Sequence, residues 1–429
     1  MARAMKDSGI EWIGEIPAGW GTNTAFQLFI QVKNKNEGLK EQNLLSLSYG
    51  KIKRKSIETV SGLLPESFDG YNIIEPDDIV LRLTDLQNDQ KSLRVGLSPE
   101  RGIVTSAYLT LRNRSTSLPK YLYYYLHAFD ISKGFYGMGA GVRQGLNWDG
   151  LKWLKILTPP VSEQKKIVSL LDGECARIDA VIEQTRASIE EYKKLKQSVI
   201  TQAVTKGIRP DRKMKDSGVE WIGEIPEEWS INPLGKGLEL IQTGPFGSQL
   251  HADEYINNGI VVVNPANISN GEIIPDEKCT ITREKAQELS RHMLKMGDIV
   301  FGRRGEMGRS ACVIDSSHEY FCGTGCLQIR CNEALKPRYA SYYLQNPCIK
   351  QYLELHAVGT TMQNLNTTIV SGIPIVYGTP SEQEEIVDYI DCKRAEIDQL
   401  ICAKQQFLSE LESYKKSLIF EYVTGKKET

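Results

Sequence analysis

The chain repeats itself. MKDSGIEWIGEIPAGW at 5–20 returns as MKDSGVEWIGEIPEEW at 214–229, with thirteen of sixteen positions identical. A second match starts with SEQKKIVSLLDGECARID at Ser162 and SEQEEIVDYIDCKRAEID at Ser381. The first offset is 209 and the second 219, so the second copy carries ten extra residues between its matched segments. A fold for this chain must therefore bury the same faces twice, in two related halves. The length, 429 residues, gives each half room for its own core.

Each half has the same order: the tryptophan motif, a variable stretch, then a long polar segment. The variable stretches, 21–160 and 230–380, are rich in Gly, Pro, Asn and β-branched residues. Short apolar runs at 79–83, 103–111, 260–263 and 299–301 read as strands between turns. Aromatic-rich runs at 121–128 and 339–344 read as one helix each, so the expected class is α/β, with two mixed globular domains.

The polar segments read as helices. Leu171, Cys175, Ile178, Ile182, Ile189, Tyr192, Leu195, Val199 and Ala203 recur mostly at steps of three or four. The second copy offers Ile390, Ile397, Ile401, Leu408, Leu411, Tyr414, Leu418 and Tyr422, with Arg394 and Lys404 interrupting. Ser162 and Ser381, each followed by Glu-Gln and preceded by prolines, read as helix starts. At 1.5 Å per residue each rod is roughly 65 Å long, and its seam needs cover; the other copy is the expected cover, as an antiparallel coiled-coil pair. The motif that should follow the second rod stands at the N-terminus instead, so a pseudo-two-fold, pseudo-cyclic arrangement is expected. The expected divisions are 1–20 motif, 21–160 first domain, 161–207 central helix, 208–229 linker and second motif, 230–380 second domain, and 381–429 distal helix.

Charge narrows the function. The 52 Lys+Arg against 54 Asp+Glu leave a net charge of −2, which excludes a uniformly basic nucleic-acid coat but not local patches. Residues 21–155 hold 18 basic against 13 acidic, while 380–429 hold 7 against 11. No apolar run reaches the ~18 residues of a membrane span, and the first residues lack a signal-peptide core. The nine Cys have no framework spacing, so a reducing, cytoplasmic setting is expected.

Basic knots stand out within the variable stretches: Lys51, Lys53, Arg54 and Lys55; Arg112 and Arg114; and Arg303, Arg304 and Arg309 in FGRRGEMGR. Such loops suit phosphate contacts and bidentate reading of guanine by Arg, although a basic knot alone is more often a solvated face. TGPFGSQ at 243–249, with Thr243, Phe246, Ser248 and Gln249, and TTMQNLN at 360–366, with Thr361, Gln363 and Asn364, are loops of small and amide residues. Amides can pair with adenine in the major groove. GVRQGLN at 141–147, with Arg143 and Gln144, holds the place of TTMQNLN in the first half.

Enzyme signals are weak. Phe135, Gly137, Gly139 and Gly141 spell the F-x-G-x-G of adenosylmethionine-binding loops without a preceding buried strand. Pro76-Asp77 with Asp89-x-Lys91 spells a loose nuclease pattern that would hold Mg²⁺, and the second half lacks it. There is no GxxxxGK[ST] loop, and Cys312, Cys322, Cys326 and Cys331 lack zinc-ribbon spacing; they read as buried strand thiols, with no metal site.

The paired MKDSG(I/V)EWIGEIP motif, the GPFGSQL loop, the MGDIVFGRRGEMGR segment and the SEQ helices together resemble type I restriction–modification specificity subunits. The resemblance covers nearly the whole chain. It implies two target recognition domains, each reading one half of a split double-stranded DNA site, and two long helices that set the spacer and bind methyltransferase (modification) subunits, two of them expected. Restriction subunits would complete the complex. It also implies a non-catalytic chain without cofactor, S-adenosylmethionine and Mg-ATP belonging to the partner subunits. DNA-reading roles in the first domain then rest on Lys51, Lys53, Arg54, Lys55, Arg82, Arg94 and Arg143, since no GPFGS loop occurs there. Trp12, Trp20, Trp221 and Trp229 have two open roles: clipping the motif to the rod base, or contacting the methyltransferase. The alternatives are a DNA enzyme in its own right, nuclease or methyltransferase, and a coiled-coil protein-binding scaffold.

Overall fold

A computed structural model describes residues 3–55, 67–87, 89, 92–139, 145–304, 308–356 and 365–429. The chain divides into two compact units, Met1–Arg186 with Gln405–Thr429, and Ala187–Lys404. The division falls inside the two long helices rather than at the domain ends expected from the sequence. Each unit therefore owns one recognition stretch, the start of one long helix and the end of the other.

The elements that matter below are, in chain order, β1 (Phe29–Gln31), β2 (Ile79–Leu81), β3 (Val95–Leu97), β4 (Leu109–Asn113), α1 (Pro119–Ile131) and the long α2 (Val161–Lys206). Then follow β5 (Leu238–Thr243), β6 (Ile299–Gly302), β7 (Ser310–Cys312), β8 (Cys326–Cys331), α3 (Pro337–Leu344) and the long α4 (Pro380–Val423). In unit 1 a four-stranded antiparallel sheet has the order β1-β4-β2-β3. In unit 2 the order is β5-β8-β6-β7, again antiparallel. The strand entering each variable stretch pairs with the one leaving it: Gly21–Thr24 with Lys155–Thr158, and Ser230–Pro233 with Pro374–Tyr377. Each stretch is thus closed at its base.

The repeated motif is a small hairpin, Met5–Asp7 against Glu15–Pro17 and Met214–Asp216 against Glu224–Pro226. Gly14 and Gly223 sit at φ +70° and +68°, a conformation that side chains with a Cβ rarely adopt, which accounts for the glycine in each WIGE. The hairpin ends in a buried tryptophan that meets the SEQ segment. Trp20 Nε1 donates to Glu163 at 2.8 Å, and Trp229 Nε1 to Glu382 at 3.0 Å. Arg3 and Arg212 pair with the same two carboxylates. The next residue, Gln164 or Gln383, accepts the N–H of Leu118 at 2.8 Å or Lys336 at 2.7 Å, just before α1 or α3. Its amide donates to Pro159 O at 2.8 Å or Gly378 O at 3.1 Å. The SEQ residues do start the helices, and their Glu accepts the tryptophan.

α1 and α3 bind the other long helix through their tyrosines. Tyr121 Oη donates to Val423 O at 3.2 Å and Tyr339 Oη to Val204 O at 2.8 Å. Within unit 1 the end of α4 runs antiparallel to the start of α2, as the pairs Lys415–Asp179 (2.6 Å) and Arg186–Glu412 (3.0 Å) show. Unit 2 repeats the first as Lys196–Asp398 at 2.7 Å. Two residues expected in the apolar seam stand outside it: Leu195 is 48 % and Tyr414 53 % exposed. The neighbouring Lys196 and Lys415 turn inward to those aspartates instead, so a cation replaces the apolar residue at this level of the seam.

Glu382 and Arg212 are the more buried pair, and losing the carboxylate takes the acceptor from the buried Trp229 indole and leaves Arg212 to the exposed Glu228. Glu382→Ala should cost about 3 kcal/mol in chemical denaturation, more than Glu163→Ala. Unit 1 also holds a pH-sensitive group. His127 on α1 is buried, stacks on Tyr123, and burial together with Lys415 and Lys416 pushes its pKa down to about 4. A folded-state pKa below the unfolded value gives stability above pH 6.5 that is lost as pH falls toward 4. From pH 7 to 5 unit 1 should lose about 2 kcal/mol through this group, and His127→Gln should flatten that slope in unfolding measured at the two pH values.

Candidate nucleic-acid interface

Antiparallel pairing brings the C-terminal ends of β5 and β6 and the N-terminal ends of β7 and β8 to one end of the unit 2 sheet. The loops of the sequence candidates meet there. Gly244 N donates to Cys326 O at 2.9 Å, Arg303 N to Gly325 O at 3.0 Å, and Leu365 N to Arg303 O at 3.2 Å. The contact between Gly244 and the Gly323–Gly325 turn leaves no room for a side chain: a Cβ on Gly244 would lie 2.0 Å from Gly323 O. Phe246 is 60 % exposed at the tip of its turn, and Ser248 is exposed. Gln249 folds back, its Oε1 accepting Phe246 N at 3.0 Å, so it shapes the turn; Thr243 ends β5, half-buried.

Arg304 is exposed and Arg303 half-buried at this end. Burial and the like charge of Arg304 lower the pKa of Arg303 from its ordinary value. Arg309 is half-buried, and its guanidinium donates to Pro265 O at 3.3 Å and Ile268 O at 3.4 Å. The sheet is pinned from the far end of β6 by Asp298, fully buried, which takes the Arg330 fork at 2.7 Å on each oxygen. Two residues at this end of the sheet escaped sequence reasoning, Thr324 in the Gly-Thr-Gly turn and Asn264, which packs on Gly323. The paired glycines of CGTGC were the available signal.

Unit 1 has the same frame. Asp78 takes the Arg112 fork at 2.8 and 2.6 Å, and Leu146 N donates to Leu83 O at 2.9 Å, as Leu365 does to Arg303. Leu83 and Thr84 therefore occupy the places of Arg303 and Arg304, and Arg82, with its side chain 39 % exposed, is the cation of this turn. Arg112, one of the basic knots, is thereby a sheet pin. Lys51, Lys53, Arg54 and Lys55 lie on an exposed hairpin, Leu45–Ser48 with Lys51–Arg54. Arg54 forks onto Glu100, with Nε at 2.6 Å, and Lys51 reaches Asp179 at 3.5 Å. Tyr49, 75 % exposed at the hairpin turn, adds an aromatic ring that sequence reading passed over.

Arg94 requires a correction. Expected to touch DNA, it is fully buried, and its guanidinium is spent on main-chain carbonyls. Trp20 and Trp229 require another: both are 1 % exposed, so the clip role holds for them and direct partner contact does not. Trp12 is half-buried against Tyr125, Phe129 and Phe420, and Trp221 half-buried beside Tyr343. Arg143, Gln144, Thr361, Gln363 and Asn364 lie outside the described residues, as do Gly141 and Lys91 of the enzyme-like patterns.

Among the described residues no group of three or more His, Cys, Asp or Glu is placed to hold a metal ion. No helix among them is long and apolar enough to cross a membrane. The nine cysteines are free, with Cys312, Cys322 and Cys326 buried on their strands or at their ends.

Residues 226–403 match the type I restriction modification DNA specificity domain family. The MjaX type I restriction enzyme specificity subunit of Methanocaldococcus jannaschii is 26% identical over 96% of this chain and 95% of its own length. The EcoBI specificity subunit of Escherichia coli is 22% identical over 62% of this chain and 57% of its own. Among solved structures, a chain from work on complex assembly and conformational transition of the type I R-M system superposes with a TM-score of 0.70 at 16% identity, covering 96% of this chain and 99% of that one. The HsdS subunit of Thermoanaerobacter tengcongensis gives 0.52 at 15% identity, covering 98% and 100%. Residues 226–403 thus match a type I restriction modification DNA specificity domain, and along nearly its whole length the chain is similar to type I restriction enzyme specificity subunits.

Proposed function

We propose that each unit reads one half of a split double-stranded DNA site with the turns at the end of its four-stranded sheet. The observation that carries this reading is the repetition of the frame with different turns. The pins Asp78–Arg112 and Asp298–Arg330 recur, while the turn after β2 is Leu83-Thr84 and that after β6 is Arg303-Arg304. A constant frame with divergent polar turns suits one DNA-docking mode with two base preferences, and hence an asymmetric bipartite target. Arg304 and Arg303 suit guanine in one half-site; Arg82 and the Lys51–Arg54 hairpin suit phosphates and bases in the other.

The long helices α2 and α4 then act as the ruler. Two half-sites on one face of B-DNA lie about one turn, ~34–36 Å, apart. A pseudo-cyclic pairing of two antiparallel helices would hold two reading units at such a spacing and offer two equivalent surfaces to two methyltransferase subunits. Restriction subunits would join that complex, with S-adenosylmethionine and Mg-ATP carried by the partners.

Arg304→Ala should relax recognition in one half-site and cost about 1–3 kcal/mol of discrimination there, read from the methylated sequences of host DNA; an unchanged preference would remove Arg304 from the reading set. Inserting four residues, ~6 Å of helix, between Glu183 and Lys193 of α2 should change the tolerated spacer while both half-sites stay the same. An unaltered spacer would show that the helices are not the ruler.

A further inference from the structure

The buried arginine of unit 1 has a geometry that neither a DNA contact nor a simple ion pair explains. Arg94 stands just before β3, across from Arg82, whose N–H donates to Arg94 O at 2.9 Å. Its own N–H donates to Asp130 Oδ2 on α1 at 2.6 Å, which fixes the main chain at its root. Nη1 donates to Arg82 O at 3.0 Å and Thr84 O at 2.9 Å, and Nη2 to Asp85 O at 3.4 Å and to Asp89 O. Nε donates to Tyr136 Oη at 3.2 Å, and that hydroxyl donates in turn to Asp89 O at 3.1 Å. The guanidinium carbon lies 5.2 Å from the centre of the Tyr136 ring.

Four carbonyls of one turn thus converge on one side chain. Carbonyls within a turn have no strand partner, and burying them unpaired is costly. A guanidinium carries five N–H groups in a fixed planar fork and stays charged, so it can hold several carbonyls in one mutual geometry, whereas an ammonium is a single point with movable donors. Asp85 sits at φ +57°, within the turn that the fork grips. The turn is the one whose Leu83 and Thr84 take the places of Arg303 and Arg304, and Arg82 opens it.

The second sheet has an arginine at the same place. Arg309 stands just before β7, and its O accepts Gly302 N at 2.8 Å, as Arg94 O accepts Arg82 N. Its guanidinium also goes to carbonyls, those of Pro265 and Ile268, at longer distances.

We propose that Arg94 is a positioning residue for the DNA-reading turn that Arg82 opens in unit 1, and that Arg309 is its counterpart in unit 2, holding the Pro265–Ile268 segment that packs beside Gly302 and Gly325 at the same end of the sheet. The proposal rests on the reading of these turns as base-reading. Neither arginine touches DNA; each sets the main-chain shape from which exposed side chains reach it. A purely structural arginine would, when changed, lower the amount of working complex and so all methylation equally. A positioning arginine changes which sequence is accepted, in one half-site only.

The test uses the full chain assembled with its partner subunits in a host, with methylated sites mapped across the genome for Arg94→Lys, Tyr136→Phe, Arg309→Lys and Arg304→Ala. Arg94→Lys should relax one half-site by about tenfold in discrimination and leave the other as in the parent. Tyr136→Phe, which removes only a hydroxyl, should relax that same half-site by less. Arg309→Lys should relax the opposite half-site, the one that Arg304→Ala alters. Uniform loss of methylation with unchanged sequence preference in Arg94→Lys would overturn the proposal, as would relaxation in the half-site that Arg304→Ala alters. If Arg94→Lys fails to accumulate, Tyr136→Phe decides: an unchanged preference overturns the proposal. Should Arg304→Ala shift a half-site while Arg94→Lys and Tyr136→Phe do not, this inference alone fails. If no variant alters any half-site, the reading of the turns fails with it.

Discussion

The structure depends on one carboxylate in each unit. Glu163 and Glu382 stand at the starts of the long helices and each receives a tryptophan indole from the hairpin motif and an arginine from just before it. The following glutamine ties the same helix turn to the peptide before α1 or α3. Three segments distant in sequence, hairpin, recognition stretch and long helix, are fastened at one point. Most of that contact is shielded from water, where ion pairs and hydrogen bonds hold geometry tightly and leave large penalties if one partner is lost.

From that point outward the parts that the two halves share and the parts in which they differ separate. α1 and α3 carry tyrosines whose hydroxyls reach the ends of the opposite long helix and the closing strands: Tyr125 donates to Lys155 O at 3.0 Å and Tyr343 to Pro374 O at 2.9 Å. The aspartate–arginine forks then align the sheets. What remains free to vary is the far end of each sheet, where strands hand over to turns. A frame fixed by buried polar contacts can carry different turns without changing its own shape, and this is the physical ground for the proposal that one chain reads two half-sites.

Much of this was legible in the sequence. The repeat, both long helices, the aromatic helices and strands such as 299–301 follow from identity, period and β-branching. Trp20 and Trp229 meet the helix starts at Glu163 and Glu382, which is one of the two places left open for the motif's tryptophans, because a motif repeated beside a helix start has few other places to pack. Long-range partners were not legible. Glu163 read only as part of a helix start, and only the fold brings Trp20 to it. Leu195 and Tyr414 fit a heptad, but the facing Asp398 and Asp179 make a lysine the inward residue there. Arg94, Arg112 and Arg309 were counted as basic surface; sequence shows charge but not which carbonyls or carboxylates claim it.

The central claim is that one chain reads two separate half-sites through two units built on the same frame. It is tested most directly by mapping methylated bases in DNA from a host that carries this chain with its partner subunits, and again after residues 234–373 are replaced by the corresponding stretch of a relative. The account predicts a split target with a fixed gap, of which the exchange changes one half and leaves the other half and the gap intact. A contiguous target, or an exchange that alters both halves together, would contradict it.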